Sequence, residues 1–166
     1  SDTATVPEVA RQVCAAFGPP DILINAAGIN TRQSAGKVTP QGWAVTLDLK
    51  LTAPFFLAQS FAGAMQDKGW GRIINFASLQ TFRAFPGGIA YGASKAGVGQ
   101  MTRAMAEAWS PHGINVNAIA PGFIETEMTA ELGEEIVKQW RNQIPLKRGG
   151  SSLDVANTTL FLASDL

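Results

Sequence analysis

The sequence predicts an α/β fold in which a parallel sheet is covered by helices on both faces. Three observations carry this. Short apolar runs recur at Ile22-Leu23-Ile24, at Ile73-Ile74 and at Ile114 to Ile119, as expected of strands buried between layers. Segments with helical spacing separate these runs. Strictly alternating strands and helices favour right-handed crossovers, which lay consecutive strands side by side.

Val6, Val9, Val13 and Phe17 share one helical face, and Gly18-Pro19-Pro20 ends that helix. Asp21 to Asn25 is the first strand, and Ala26-Ala27-Gly28 turns away from it. Asn30 to Pro40 reads as a polar loop. Pro40 suits a first helical turn, and one helix is expected from about Gln41 to Gln66. Arg72 to Ala77 is the second strand, followed by a loop from Leu79 to Gly88 that holds Pro86-Gly87-Gly88. The next helix runs to about Trp109, where Ser110-Pro111-His112-Gly113 breaks it. Ile114 to Ile119 is the third strand, closed by Pro121-Gly122. Two short helices are expected near 126–132 and 134–140, then a turn over 145–150. A last helix spans 152–163, opened by Ser151 or Ser152, with Asp154 in its first turn. One domain is expected over 1–166.

Composition narrows the function. The 13 basic and 13 acidic residues give no net charge, so nothing points to nucleic acid or an anionic membrane. Cys14 is the only cysteine and His112 the only histidine. A disulfide framework and a Cys/His metal site are thereby excluded, and a Ser-His-Asp hydrolase has little room. No apolar segment reaches membrane-spanning length, and no signal peptide is visible, so a cytoplasmic location is expected. Charged residues are 16% of the chain, against an average of about 25%. That shortfall suggests a surface covered by copies of itself.

The chemistry-bearing pattern is Ser78, then Tyr91-Gly92-Ala93-Ser94-Lys95. Tyr91 is the only tyrosine, and a helix puts it on one face with Lys95. An ammonium beside a phenol favours the phenolate, and such a pair can give or take a proton. Ser78, at the end of an apolar strand, can hold a substrate oxygen beside the phenol. Taken alone, a tyrosine on a helix usually packs and a lysine four residues on usually faces water.

Further motifs accompany it in order: Asn25-Ala26-Ala27-Gly28, and Asn117-Ala118-Ile119-Ala120-Pro121-Gly122 with Thr126 beyond. Together they resemble the short-chain dehydrogenase/reductase family. The resemblance implies a partial doubly wound, Rossmann-type sheet and a nicotinamide cofactor, NAD or NADP. It implies hydride exchange with a small-molecule carbonyl/alcohol pair: a sugar acid, a polyol or a 3-oxoacyl group. Ser78, Tyr91 and Lys95 match the family's catalytic serine, tyrosine and lysine. Asn25, Ala26, Gly28, Tyr91, Lys95, Pro121, Gly122, Ile124 and Thr126 match its cofactor-binding positions. The family also implies a homodimer or homotetramer. The contact would run through helices 41–66 and 90–109, with Phe55, Phe56, Phe61, Met65, Met101 and Met105 as candidate contact residues. Bland alternatives stand beside these roles: Asn25 as a strand-end cap, Gly28 as a turn residue, the apolar residues as core.

The chain departs from the family pattern in two places. The family's N-terminal glycine-rich turn and its last strand are absent, so a fragment of a longer enzyme is expected. The competing expectation is a truncated, self-associating scaffold that binds no nucleotide. Without the family's first strand, Ile22 to Asn25 becomes a sheet edge. Lys50 stands where the family usually has an asparagine seven residues after Trp43. A second ammonium there would repel Lys95 unless it turned to solvent.

Overall fold

The structure, a computed structural model, describes residues 3–29, 32–131 and 133–165. Among them the elements follow the expected order. Helix α1 (Val6–Phe17) leads to strand β1 (Ile22–Asn25), and helices α2 (Pro40–Leu47) and α3 (Ala53–Lys68) lead to β2 (Gly71–Phe76). Helix α4 (Ile89–Trp109) leads to β3 (Ile114–Ile119), and α5 (Glu127–Ala130), α6 (Glu134–Gln143) and α7 (Ser152–Ala163) complete the fold. Asn30 and Thr31, part of the expected polar loop, lie outside the described residues.

The three strands are parallel in the order β1-β2-β3. Ile22 pairs with Arg72 and Asn25 with Asn75; Gly71 pairs with Ile114 and Phe76 with Ile119. Consecutive strands are therefore neighbours, as the alternation requires. Ile73 lies in the main core with Ala58, Phe61 and Met65 of α3, Met105 of α4 and Ile114. Ile74, one residue on, points to the other face, is also buried, and α7 packs against β2 and β3. Helices thus cover both faces.

Helix ends follow local chemistry. Gly18 adopts a positive φ and returns its N–H to Cys14 O. The Ser151 hydroxyl accepts the Asp154 N–H while the Asp154 carboxylate accepts the Ser151 N–H, a closed capping box for α7. Gly113 is obligatory twice over: its φ is 78°, and a Cβ there would stand 2.1 Å from the Gly69 carbonyl oxygen.

Two expectations need correction. The single helix over 41–66 is interrupted by a π-turn at Asp48–Thr52. Pro54 explains it: proline has no N–H to give the carbonyl four residues back, that of Lys50, so the α-ladder cannot run through. Phe61, Met65 and Met105, offered as contact residues between copies, are buried within this chain at 4%, 1% and 3% exposure. Phe55 and Met101 pack against the same core, which leaves Phe56 as the one outward-facing member of that set.

Candidate active site

The carboxyl ends of β1 and β2 carry the residues singled out by spacing. This edge is where doubly wound sheets bind ligands. The two main chains beyond β2 and β3 stay joined: Ala77 N–H donates to Ile119 O, and Leu79 N–H to Pro121 O. That places Ser78 beside the Pro121 turn.

Ser78 has extended backbone and caps a 3-10 turn at Leu79–Thr81. Its hydroxyl oxygen accepts the Gln80 N–H at 3.1 Å, and its hydrogen is left to donate elsewhere. The Ser78 N–H donates to Thr81 Oγ1 at 3.3 Å, and that hydroxyl donates to the Lys95 carbonyl at 3.0 Å. One threonine therefore fastens the serine's turn to the helical turn holding Tyr91 and Lys95. No spacing rule singles out Thr81, because its role exists only once the turn meets α4.

Tyr91 is half-buried and Lys95 is buried. The Lys95 ammonium donates to the Phe76 carbonyl at the end of β2 and stands 5.8 Å from the centre of the Tyr91 ring. Burial, and secondarily the charge of Lys50, lower the Lys95 pKa to about 8. An ammonium has three donors, so Lys95 keeps two beyond the Phe76 bond.

Lys50 does not turn to solvent. It is 5% exposed, and its Nζ stands 4.9 Å from the Tyr91 ring centre. A Cβ placed on Gly28 would lie 2.6 Å from that Nζ, so the ammonium rests on the bare backbone of the Asn25–Gly28 turn. Burial lowers the Lys50 pKa. The structure therefore brings together Ser78, Tyr91, Lys95, Gly28 and Lys50.

Asn25 ties the strands as well as standing at the site. Its amide donates to Asn75 Oδ1 at 2.9 Å, Asn75 donates to Thr102 Oγ1 at 3.0 Å, and Thr102 donates to Val98 O at 2.7 Å. The relay fixes β1, β2 and α4 relative to one another, through an asparagine that reads in the sequence only as a polar break in a strand. Ala26 and Gly122 are exposed and Pro121 is half-buried. Ile124 pairs with Gly150, and Thr126 caps α5, its N–H donating to Thr129 Oγ1 at 2.8 Å. Among the described residues no hydrogen bond joins Ile124 or Thr126 to the Ser78–Tyr91–Lys95 cluster. Along the other side, a cleft of about 370 Å³ runs between Gln80–Phe85 and the first turns of α4.

A three-layer α/β sheet with a serine, a tyrosine and a lysine at its carboxyl edge defines a doubly wound, Rossmann-type protein. The family model described as enoyl-(acyl carrier protein) reductase matches residues 1–166, and the chain belongs to that family, within the short-chain dehydrogenases/reductases. It is 42% identical over 146 residues, 88% of this chain, to a 3-oxoacyl-[acyl-carrier-protein] reductase of Aquifex aeolicus. It is 40% identical over 165 residues, 99% of this chain, to a 3alpha-hydroxysteroid dehydrogenase of Mediterraneibacter gnavus. The structure of a gluconate 5-dehydrogenase from Burkholderia cenocepacia in complex with NADP and tartrate superposes with a TM-score of 0.90, at 33% identity and 98% coverage of this chain. The chain spans 59%, 66% and 65% of the lengths of these three proteins, respectively.

Proposed function

We propose that the protein exchanges hydride between a nicotinamide dinucleotide, NAD or NADP, and the carbonyl/alcohol pair of a small-molecule substrate. The observation that carries this reading is the Tyr91 ring flanked by the buried Lys95 ammonium, with Ser78 fastened to the same helical turn through Thr81. Membership in the family and the reductase and dehydrogenase names of the relatives support it. Residues 1–166 act in this reading as one domain. Sugar acids, polyols and 3-oxoacyl groups are the substrate classes to try first, since relatives are named for gluconate and for 3-oxoacyl carriers. Assembly as a homodimer or homotetramer and a cytoplasmic location belong to the same proposal. Among the described residues no helix is long and apolar enough to cross a membrane.

The residues present fit a nicotinamide ribose. Gly28 offers backbone without a side chain, and Lys95 holds two uncommitted donors beside Tyr91. The bound dinucleotide would supply the hydride. In reduction, Tyr91 would donate its hydroxyl proton to the carbonyl oxygen as the carbonyl becomes the alcohol. The Ser78 hydroxyl hydrogen-bonds the same oxygen and steadies its developing charge. Lys95 offsets the charge left on Tyr91 and orients the ribose. In oxidation the same groups act in reverse.

The test is absorbance at the reduced-nicotinamide band with purified protein, both cofactors and a panel of the three substrate classes. Turnover in the wild type and its loss in Tyr91→Phe are expected. A Tyr91→Phe variant that keeps most of the rate sinks the reading.

A further inference from the structure

Lys50 is the feature least accounted for by that reading. It is a buried cation at a site that already holds one. The elements packed against its π-turn are α2, α3, α4 and the 3-10 turn at Thr3–Thr5. α2 and Thr3–Thr5 carry no ionisable side chain, and those of α3 are Asp67 and Lys68 at its far end. α4 presents Tyr91 and Lys95, with Arg103 and Glu107 two and three turns further along. Around Lys95, β3 and Leu79–Thr81 carry none, His112 lies past the far end of α4, and β2 contributes only Arg72, which is paired to Asp165. Asp48 shares the π-turn. Among the described residues no ion pair or hydrogen bond joins a carboxylate to Lys50 or Lys95.

Burying a charge without a counter-charge is costly. A methionine would fill much the same space without that cost. A local arrangement that lowers stability beside a half-buried phenol is the kind of feature functional sites carry. The ammonium also has a fixed place: Gly28 behind it and the Tyr91 ring in front. Pro54, by breaking the α-ladder at Lys50, shapes the turn that aims it there.

We propose that Lys50 is a positioning residue of this site, its ammonium acting on Tyr91 through the charge state of its neighbour Lys95. It rests on the hydride-transfer reading for its consequence, but not for its geometry. The repulsion between the two ammonium groups makes the Lys95 proton easier to lose, in the same direction as burial. A site with one lysine would hold that proton to higher pH. Lys50 therefore moves the pH range over which Lys95 switches between charged and neutral toward neutrality.

The experiment is an NMR titration of the protein carrying ¹³C-labelled lysine side chains, with the Lys95 signal assigned through Lys95→Arg. Wild type, Lys50→Met, Lys50→Gln and Lys50→Arg are compared. The Lys95 midpoint is expected to rise in the Met and Gln variants, toward but short of the ordinary value of 10.5, because burial remains. Lys50→Arg should hold the wild-type midpoint. Lys50→Met should also unfold at a higher temperature than wild type. An unchanged Lys95 midpoint in folded Lys50→Met or Lys50→Gln overturns the proposal. The pH–rate profile gives the second arm: its limb should move with the Lys95 midpoint while substrate KM stays put. If no form of the protein turns over any substrate while the midpoint still moves, the hydride reading fails and the role of Lys50 stands.

Discussion

The two ends of strand β2 treat buried cations in opposite ways. At the amino end, Arg72 is buried, and its guanidinium donates to Asp165 at 2.8 Å and to the carbonyls of Gly71 and Ser164. The same group lies 4.3 Å from the centre of the Trp70 ring. At the carboxyl end, Lys95 and Lys50 are equally buried and share one aromatic ring, and among the described residues no ion pair or hydrogen bond joins either to a carboxylate. A cation surrounded by partners closes a structure. Two cations left unpaired beside a half-buried phenol leave room for chemistry, at a cost in stability. The partner set separates the two roles where burial alone does not.

The largest expected effect tests the carboxyl end directly. Tyr91→Phe keeps the ring that both ammonium groups face and removes the hydroxyl. Turnover should fall by about 10²–10⁴-fold, the usual cost of losing a positioned general acid. Thermal unfolding should barely change. A variant that loses stability along with activity would show that the hydroxyl also serves the fold.

At the amino end the order of effects reverses. Arg72→Ala removes charge-assisted bonds and the stacking on Trp70, so stability should fall by roughly 1.5–3 kcal/mol. Activity per folded molecule, assayed well below the unfolding temperature, should be unchanged. Chemical denaturation and a steady-state assay on the same preparation check both halves. A large loss of rate with stability intact would put Arg72 in the site and break the contrast.

The unpaired lysines should also mark the pH dependence of stability. Folded Lys95 gives up its proton near pH 8, while an unfolded lysine keeps it to about 10.5. Between those values the unfolded chain binds more protons, so stability rises with pH; below pH 8 both forms are protonated and the penalty is present in full. Lys50, lowered by burial, acts with the same sign. The gain from pH 8 to 10 should be roughly 1–2 kcal/mol. It is read as the difference between wild type and Lys95→Met in urea denaturation, which removes groups common to both. A difference that does not change with pH would mean that the Lys95 charge is better solvated than its burial implies.

Much of this was legible in the sequence, for identifiable reasons. Strand order followed from apolar runs alternating with helices, and α7 from Ser151 and Asp154, because those signals are local. Tyr91 and Lys95 were legible because helical spacing alone sets them on one face. What escaped depends on tertiary approach. Pro54 marks a break inside the apolar stretch, but that the break takes the form of a π-turn is settled by packing. Phe61, Met65 and Met105 could face a partner copy or the core, and only the packing decides. The direction of Lys50, the Thr81 bridge and the Asn75 relay exist only where separate segments meet.

The smallest effect probes what the paired end owes to its counter-charge. Among the described residues Asp165 is the one anion paired with Arg72, yet its side chain is 78% exposed while that of Arg72 is 9% exposed. Asp165→Asn keeps an oxygen in place for the guanidinium and the Trp70 N–H, which also donates to Asp165 at 3.0 Å. What it removes is charge held largely in water, where an ion pair contributes little. The remaining carbonyl and ring partners stay on Arg72. Stability should therefore fall by about 0.5–1 kcal/mol, with the loss shrinking as salt is added. A loss well above that, insensitive to salt, would mean that the carboxylate itself is what makes burial of Arg72 tolerable. The same reasoning would then make the two lysines at the other end of the strand more costly, and any anion supplied there correspondingly more tightly held.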